Sequence, residues 1–109
     1  MPLDNLLPTL RHCTANCLRM TTMIGGYPDA QCRFRQQQLL MDCADICDLT
    51  SRFVARGSYF ARPAVQLCAD ICAACACECA GYPDQHSQHC AMVCMQCAQE
   101  CRAFAMMCQ

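Results

Sequence analysis

The chain has 109 residues, 55% of them hydrophobic and 16% charged, which is enough apolar material for one domain, 1–109, with one compact core. The formal net charge is −1, so the composition excludes the concentrated basic surface that binds nucleic acid, and we expect no nucleic-acid partner. The unusual feature is the cysteine content, 15 residues in this short chain.

The N-terminal sequence MPLDNLLPTLRHC lacks the basic start, the apolar run and the small-residue cleavage site of a secretory signal. We therefore expect a cytoplasmic protein, in which thiols stay reduced. The odd number of cysteines would also leave at least one thiol unpaired in any intramolecular disulfide scheme. No apolar run approaches the ~20 residues that cross a bilayer, so we expect no membrane partner.

Helix-forming residues dominate between a few Gly and Pro breaks, which predicts an all-α protein with helices at 4–24, 28–56, 63–80 and 85–108. Because the connections are short, successive helices run antiparallel, and the expected fold is an up-down-up-down four-helix bundle. The tetrapeptide Gly-Tyr-Pro-Asp occurs at 26–29 and again at 81–84. Both copies are predicted to form turns at the same end of the bundle.

The repeated tetrapeptide is part of a longer internal repeat. An offset of 55 residues relates its two copies and also takes Cys13 to Cys68. After the turn the second copy is longer, and an offset of 58 takes Cys43 to Cys101. The bundle is therefore predicted to be built from a duplicated helical hairpin.

In the first predicted helix, Cys13 and Cys17 begin a stripe that Met20 and Ile24 continue. Residues three, four, seven or eleven positions apart share one face of a helix, so these four side chains point the same way. An amphipathic helix turns its apolar face toward the bundle centre. The thiols are therefore predicted to lie in the core.

The second predicted helix carries a sparser stripe of Cys32, Cys43 and Cys47, with Gln36 and Leu39 in its gap. Its charged residues, Arg33 among them, are predicted on the outer face. The third helix repeats the pattern, and its stripe consists of Cys68, Cys72, Cys75 and Cys79, with Cys77 roughly opposite. The fourth helix has a stripe of Cys90, Cys94, Cys97, Cys101 and Cys108.

Three non-metal interpretations of these rows are open at this point. Cysteine packs as a small hydrophobe, although ordinary bundle cores are filled with Leu. The six Cys-x3-Cys pairs could instead form a ladder of disulfides between antiparallel helices, as in a small helical scaffold or chaperone. A thiol redox enzyme would need one accessible cysteine with a low pKa beside a cation, and these cysteines mostly neighbour one another, so we expect no enzyme.

A metal site is the fourth interpretation, and the ligand chemistry favours Cu(I). Structural zinc prefers closed sets of four Cys and His ligands, usually on turns, and iron–sulfur clusters prefer cysteines on loops. Soft thiolate and thioether ligands select Cu(I), and rows of sulfur lining one core can hold many such ions. Loading would release protons, because a thiol must be deprotonated to bind metal.

The chain resembles the cysteine-rich four-helix-bundle copper storage proteins, specifically their cytosolic branch. The resemblance covers essentially the whole chain and rests on the Gly-Tyr-Pro-Asp turns and on the Cys-x3-Cys rows at 68/72, 75/79, 90/94 and 97/101. It implies Cu(I) bound inside the bundle by cysteine pairs, admission of metal through one end and assembly into tetramers. The departure is in the first helix, where Met20 and Ile24 follow Cys17, which implies a lower capacity there.

The predicted partners are therefore copper ions and a copper chaperone. His86 and His89, with Met20 and Met23, are predicted as uptake ligands at the turn end, because imidazole and thioether both bind Cu(I). His12 is predicted to be a surface residue. The predicted Cu(I) ligands are the fourteen cysteines on the stripes: Cys13, Cys17, Cys32, Cys43, Cys47, Cys68, Cys72, Cys75, Cys79, Cys90, Cys94, Cys97, Cys101 and Cys108.

Overall fold

The computed structural model describes residues 2–107, with side chains from residue 6 onward. It contains four α-helices, α1 (Pro2–Gly25), α2 (Phe34–Ala55), α3 (Ala61–Ala80) and α4 (Gln85–Met107), and a short 3-10 turn at Ala30–Cys32. Consecutive helices pack against each other, and α1 also packs against α4. The result is an up-down-up-down bundle 46 Å long and 18 Å across. The predicted all-α four-helix bundle is confirmed, whereas its origin by duplication stays a prediction.

The core differs in composition along the bundle axis. The thiols occupy its middle and its turn end, while the opposite end is filled by aliphatic side chains. Leu6, Leu10 and Val65 are 1% exposed or less, and Val54 is 4% exposed. These residues supply the hydrophobic burial that the small cysteine side chains provide only in part.

The first Gly-Tyr-Pro-Asp turn is longer than the sequence predicts. α2 begins at Phe34 and not at position 28, because the chain first makes the 3-10 turn and Arg33 then adopts a non-helical conformation with φ −111° and ψ 26°. In the second copy, Asp84 caps α4 directly, and its Oδ2 accepts a hydrogen bond from the Ser87 backbone N–H at 3.0 Å. The predicted start of the fourth helix at residue 85 is therefore confirmed.

The middle turn ends α2 with a left-handed glycine. Gly57 has φ 64°, its N–H donates to the Val54 carbonyl, and the Ser58 N–H donates to the Phe53 carbonyl at 2.9 Å. This is the Schellman arrangement, in which a glycine can take the positive φ without strain. The turn reverses the chain and sets α3 antiparallel to α2.

By length and composition, α3 is apolar enough to cross a membrane, and it is the one such helix among the described residues. The expectation that no segment approaches this length is therefore corrected. Much of the apolar character of α3 comes from Ala and from Cys68, Cys72, Cys75 and Cys79, which are fully buried in the bundle. Core helices of soluble proteins share this composition.

Candidate metal centre

The cysteines of all four helices meet along the bundle axis. Every helix carries Cys at three- or four-residue spacing on the face that it turns inward, so the thiols stack above one another. Twelve of them have no exposed surface, and together they form what we call the thiol column. The column consists of Cys13, Cys17, Cys43, Cys47, Cys68, Cys72, Cys75, Cys79, Cys90, Cys94, Cys97 and Cys101.

Neighbouring sulfur atoms in the thiol column touch without being bonded. The Sγ–Sγ distances run from 3.5 Å between Cys43 and Cys72 to 3.9 Å between Cys90 and Cys94. Most contacts join different helices, as between Cys17 and Cys94 at 3.7 Å. A disulfide bond is about 2.05 Å long, so the cysteines are free thiols. The disulfide ladder considered from the sequence is absent from the part of the chain that the structure describes.

Three groups of sulfur atoms in the described residues are close enough to share metal ions, because all atoms of a group lie within 4.8 Å of one another. Cys13 belongs to two groups and Cys97 to two, so the groups are linked into a chain. Thiolates at shared positions suit neighbouring Cu(I) ions, which accept few ligands each. The groups are Cys13, Cys47, Cys72 and Cys97; Cys13, Cys17, Cys43 and Cys94; and Cys68, Cys97 and Cys101.

Two amide side chains contact the thiols nearest the Gly-Tyr-Pro-Asp turns. Asn16, 6% exposed, donates from Nδ2 to the Sγ of Cys90 at 3.2 Å. Gln36 is fully buried and donates from Nε2 to the Sγ of Cys79 at 3.5 Å. The prediction that Gln36 occupies the stripe of α2 is confirmed. Asn16 was missed, although its position three residues after Cys13 places it on the inward face.

Hydrogen bonds between the thiols move their pKa values in opposite directions. Contacts with Cys17 and Cys43 lower the pKa of Cys13, whose thiolate accepts hydrogen bonds from these neighbours. The contact with Cys13 raises the pKa of Cys17, and burial raises it further. Thiol contacts and burial likewise raise the pKa values of Cys47 and Cys94. Burial in the core disfavours the thiolate at every one of these positions, so a thiol that loses its proton there needs a cation in its place.

Among the described residues, two cysteines stand apart from the thiol column. Cys32 is exposed in the 3-10 turn, so the prediction that it lies on the core stripe is wrong; helical phase does not apply there because α2 begins only at Phe34. Cys77 is exposed on α3, as its phase predicts. Cys108 lies outside the described residues.

The prediction that Arg33 lies on the outer face is also wrong, because its side chain turns inward and is only 5% exposed. Its Nε donates to Asp29 at 3.0 Å and its Nη1 to Asp84 at 2.8 Å. The guanidinium carbon lies 4.9 Å from the Tyr27 ring centroid and 4.5 Å from that of Tyr82. Each copy of the tetrapeptide thus supplies one Tyr and one Asp. We call Arg33, together with Tyr27, Asp29, Tyr82 and Asp84, the Arg33 clamp.

The charges in the Arg33 clamp stabilise each other. Burial acts to lower the pKa of Arg33, but the hydrogen bonds to Asp84 and Asp29 outweigh it and raise the value. Burial acts to raise the pKa of Asp84, but the hydrogen bonds from Arg33 and Ser87 lower it to about 2. Both groups are therefore ionised at neutral pH.

The four predicted uptake residues come together at one pocket. It has a volume of about 130 Å³ and lies between α1 and α4 near the turn end. His86 and His89 are exposed, whereas Met20 is 2% exposed and forms part of the floor beside Asn16. The pocket is lined by Asn16, Arg19, Met20, Met23, His86 and His89.

The sequence model of the copper storage protein family, Csp, matches residues 2–106. The chain belongs to the copper storage protein family. Solved structures of such proteins share the fold: the Cu(I)-bound copper storage protein BsCsp3 is 30% identical, with a TM-score of 0.91 over 96% of this chain and 99% of that one. A cytosolic copper storage protein from Streptomyces lividans, in a structure with five coppers, is 27% identical, with a TM-score of 0.90 over 96% and 92% of the two chains.

A further relative is the uncharacterized cysteine-rich protein YhjQ of Bacillus subtilis (strain 168), which is 44% identical over 47 residues. The matched stretch covers 43% of this chain and 44% of that protein, less than half of either. The resemblance to copper storage proteins noted in the sequence is confirmed by the family match and by both structures. The thiol column therefore lies in the core of a bundle that has the fold of the copper storage proteins.

Proposed function

We propose that this chain stores Cu(I) in the cytoplasm by binding many ions along the thiol column. The observation that carries the proposal is the column itself, in which twelve fully buried, unbonded thiols touch across helices. Ordinary packing needs no such concentration of sulfur, and Cu(I) is the ion that soft sulfur ligands select. Storage requires no turnover, so the chain acts as a reservoir and not as an enzyme.

The charge of the core supports a monovalent cargo. Among the described side chains, Arg33 is the one buried residue with a charge, so a fully deprotonated column would hold many uncompensated negative charges. Such charges are very costly in a core unless each is paired with a cation. One Cu(I) ion per lost proton keeps the charge of the core constant during loading.

The proposed uptake ligands are His86 and His89, with Met20 and Met23. They support the role because all four line the same pocket and because Met20 reaches the buried floor. Imidazole and thioether donors bind Cu(I) weakly enough to pass it on to thiolates, which are the stronger ligands. A copper chaperone could deliver the ion to the exposed histidines.

The proposed assembly is a homotetramer. Support comes from an apolar groove formed by α2, α3 and the turn between them, where Leu49, Phe60 and Leu67 are 43%, 67% and 51% exposed. Exposed apolar surface of this kind marks protein–protein contacts. Cys77 is exposed on another face of α3 and is not part of this groove.

The test is an anaerobic titration of the reduced, metal-free protein with Cu(I) against a competing chelator, with proton release followed at the same time. We expect several ions per chain and protons released with them. A Cys32→Ser/Cys77→Ser variant is the matched control, and it should retain the wild-type capacity because both thiols lie outside the column. Saturation at about two ions per chain or fewer would exclude storage, because a single site of about four thiolates would be enough to explain such a capacity.

The disulfide alternative has its own test. Storage predicts that nearly all of the 15 cysteines are free in protein purified anaerobically without reductant. A scaffold stabilised by disulfides would show few free thiols in the same measurement.

A further inference from the structure

The outer face of α3 and α4 carries sulfur atoms that do not belong to the thiol column. Cys77 is exposed there on α3, and Met92 of α4 is 72% exposed. Both side chains line one cavity of about 340 Å³ together with Met95, which is half-buried. We call this cavity the Cys77 pocket, and its other walls are the small side chains of Ala76, Ala80 and Ala91 and the exposed Gln88.

The register of α3 against α4 places Cys77 level with Met92. Two contacts between inward thiols fix this register: Cys75 with Cys94, at 3.8 Å between their Sγ atoms, and Cys79 with Cys90. Cys77 lies midway between the two cysteines of α3, and Met92 lies midway between the two of α4. In an antiparallel pair the two midpoints share one level, and Met95 lies one turn from Met92 on the same side of its helix. Three sulfur-bearing side chains therefore converge on one cavity.

Core packing does not explain this group of side chains. Met92 is largely in solvent, so it contributes little hydrophobic burial. An exposed methionine or an exposed cysteine is unremarkable alone, but here a thiol and two thioethers line the same small pocket. Methionine is unbranched and turns about three bonds, so both thioethers can approach the Cys77 thiol without movement of the helices.

The chemistry of the Cys77 pocket suits a soft, monovalent ion. Among the described residues that line it, Cys77 is the one with an ionisable side chain. One thiolate and one Cu(I) ion form a neutral pair, whereas a divalent ion would leave a positive charge uncompensated against alanine and methionine side chains. Thiolate and thioether sulfur are also the ligands that select Cu(I).

We propose that Cys77, Met92 and Met95 form a second Cu(I) site on the outside of the bundle, which binds one ion through one thiolate and two thioethers. On binding, the Cys77 thiol loses its proton to solvent and its sulfur bonds to the ion, which stays Cu(I). Because Cys77 lies on the exposed face of α3, the helix itself separates this ion from the thiol column. The ion therefore remains accessible to a thiol of a partner protein. The proposal does not depend on the storage function, since none of its three ligands belongs to the column.

The outer site should bind Cu(I) more weakly than the thiol column does. One of its three donors is a thiolate and the site is open to solvent, whereas the column offers groups of three and four buried thiols. A chelator that competes with the column will therefore keep the outer site empty. For this reason, substitution of Cys77 should not change the capacity measured in such a titration.

Protection of Cys77 from alkylation tests the outer site directly. The column is first loaded with Cu(I) to saturation, the chelator is removed, and one further equivalent of Cu(I) is added as its acetonitrile complex. Alkylation by iodoacetamide, followed by peptide mass spectrometry, then gives the rates at Cys77 and at Cys32. Cys32 is the matched control within the same molecule, because it is also exposed but does not line the Cys77 pocket.

We expect the added ion to slow the alkylation of Cys77 about tenfold at about 90% occupancy, because the free thiolate is the nucleophile. The rate at Cys32 should stay unchanged. An unchanged rate at Cys77, or equal slowing of both thiols, would overturn the proposal.

The role of the thioethers is tested with the double variant Met92→Leu/Met95→Leu, which removes both sulfur atoms at nearly constant volume. Met41→Leu, at a 54% exposed position on α2, is the control, and circular dichroism checks that both variants fold. We expect Cys77 to lose its protection in the double variant and to keep it in the control. Protection that persists in the double variant would refute a site made of three sulfur ligands.

Native mass spectrometry separates this proposal from the storage function. The wild type should carry one Cu(I) ion beyond the load of the column, and Cys77→Ser should carry none beyond it. A column load of about two ions or fewer would refute storage, whatever the result at Cys77. A full column load without the additional ion would refute the outer site alone.

Discussion

The ion pair between Arg33 and Asp84 makes the free energy of unfolding of the metal-free protein depend on pH in the acidic range. The pKa of Asp84 is lowered from 3.8 to about 2 by the hydrogen bonds from Arg33 and Ser87, despite its partial burial. At 1.36 kcal/mol per pKa unit, this corresponds to about 2 kcal/mol of stability for the ionised form. Because 24% of the Asp84 side chain is exposed, solvent screening reduces the expected value to about 1–2 kcal/mol.

The sign follows from the direction of the pKa change. A carboxyl group whose pKa is lower in the folded state stabilises the protein above its unfolded pKa, and the contribution is lost as the pH falls toward the folded pKa. The stabilisation by Asp84 is therefore complete at pH 7. By about pH 3 we expect roughly half of it to be lost.

The variant Asp84→Asn isolates this charge, because Asn keeps the ability to cap the N-terminus of α4. Urea unfolding of the reduced, metal-free protein, followed by circular dichroism, should show a loss of about 1–2 kcal/mol at pH 7 that shrinks by about half at pH 3. The control Asp45→Asn, on the exposed face of α2, should change stability by less than about 0.5 kcal/mol at either pH. A loss for Asp84→Asn that is the same at both pH values would refute the reasoning.

Four other outcomes are expected. Cys13→Ser should lower the Cu(I) capacity measured by titration, because its sulfur belongs to two of the thiol groups, whereas Cys77→Ser should leave it unchanged. Alkylation of the metal-free protein, followed by peptide mass spectrometry, should modify Cys32 and Cys77 before any thiol of the column; early modification of the column would contradict its burial. Leu10→Ala should lower the free energy of unfolding by about 2–5 kcal/mol, since Leu10 is fully buried. Gly57→Ala should cost about 1 kcal/mol in the same urea assay, from the positive φ alone, because an added Cβ meets no atom within 4 Å.

The spacing of the cysteines was sufficient to predict the fold and most of the candidate site. Positions three and four apart share a helix face whatever the partner helices are, so Cys68 and Cys72 could be assigned to the core from the sequence alone. The twelve buried thiols are all among the fourteen predicted. The same rule correctly separated Cys77 from its neighbours.

Cys32 shows where this rule ends. The rule holds only inside a continuous helix, and the 3-10 turn before α2 shifts the phase. Pro28 and Asp29 are compatible with the start of a helix, so local preference placed that start too early. The helix starts later because the backbone of Arg33 is non-helical and its side chain is bound by Asp84 in the second Gly-Tyr-Pro-Asp turn.

Within the continuous helices, the sequence by itself determined which cysteines face inward, because helical periodicity is a local property of the backbone. The tertiary structure alone decided that Arg33 is buried, because its burial depends on Asp84, 51 residues away, and on both tyrosine rings. A buried guanidinium is stable only when such partners are brought together. For the same reason, only the packed bundle brings sulfur atoms of different helices, such as Cys17 and Cys94, within 4 Å of each other.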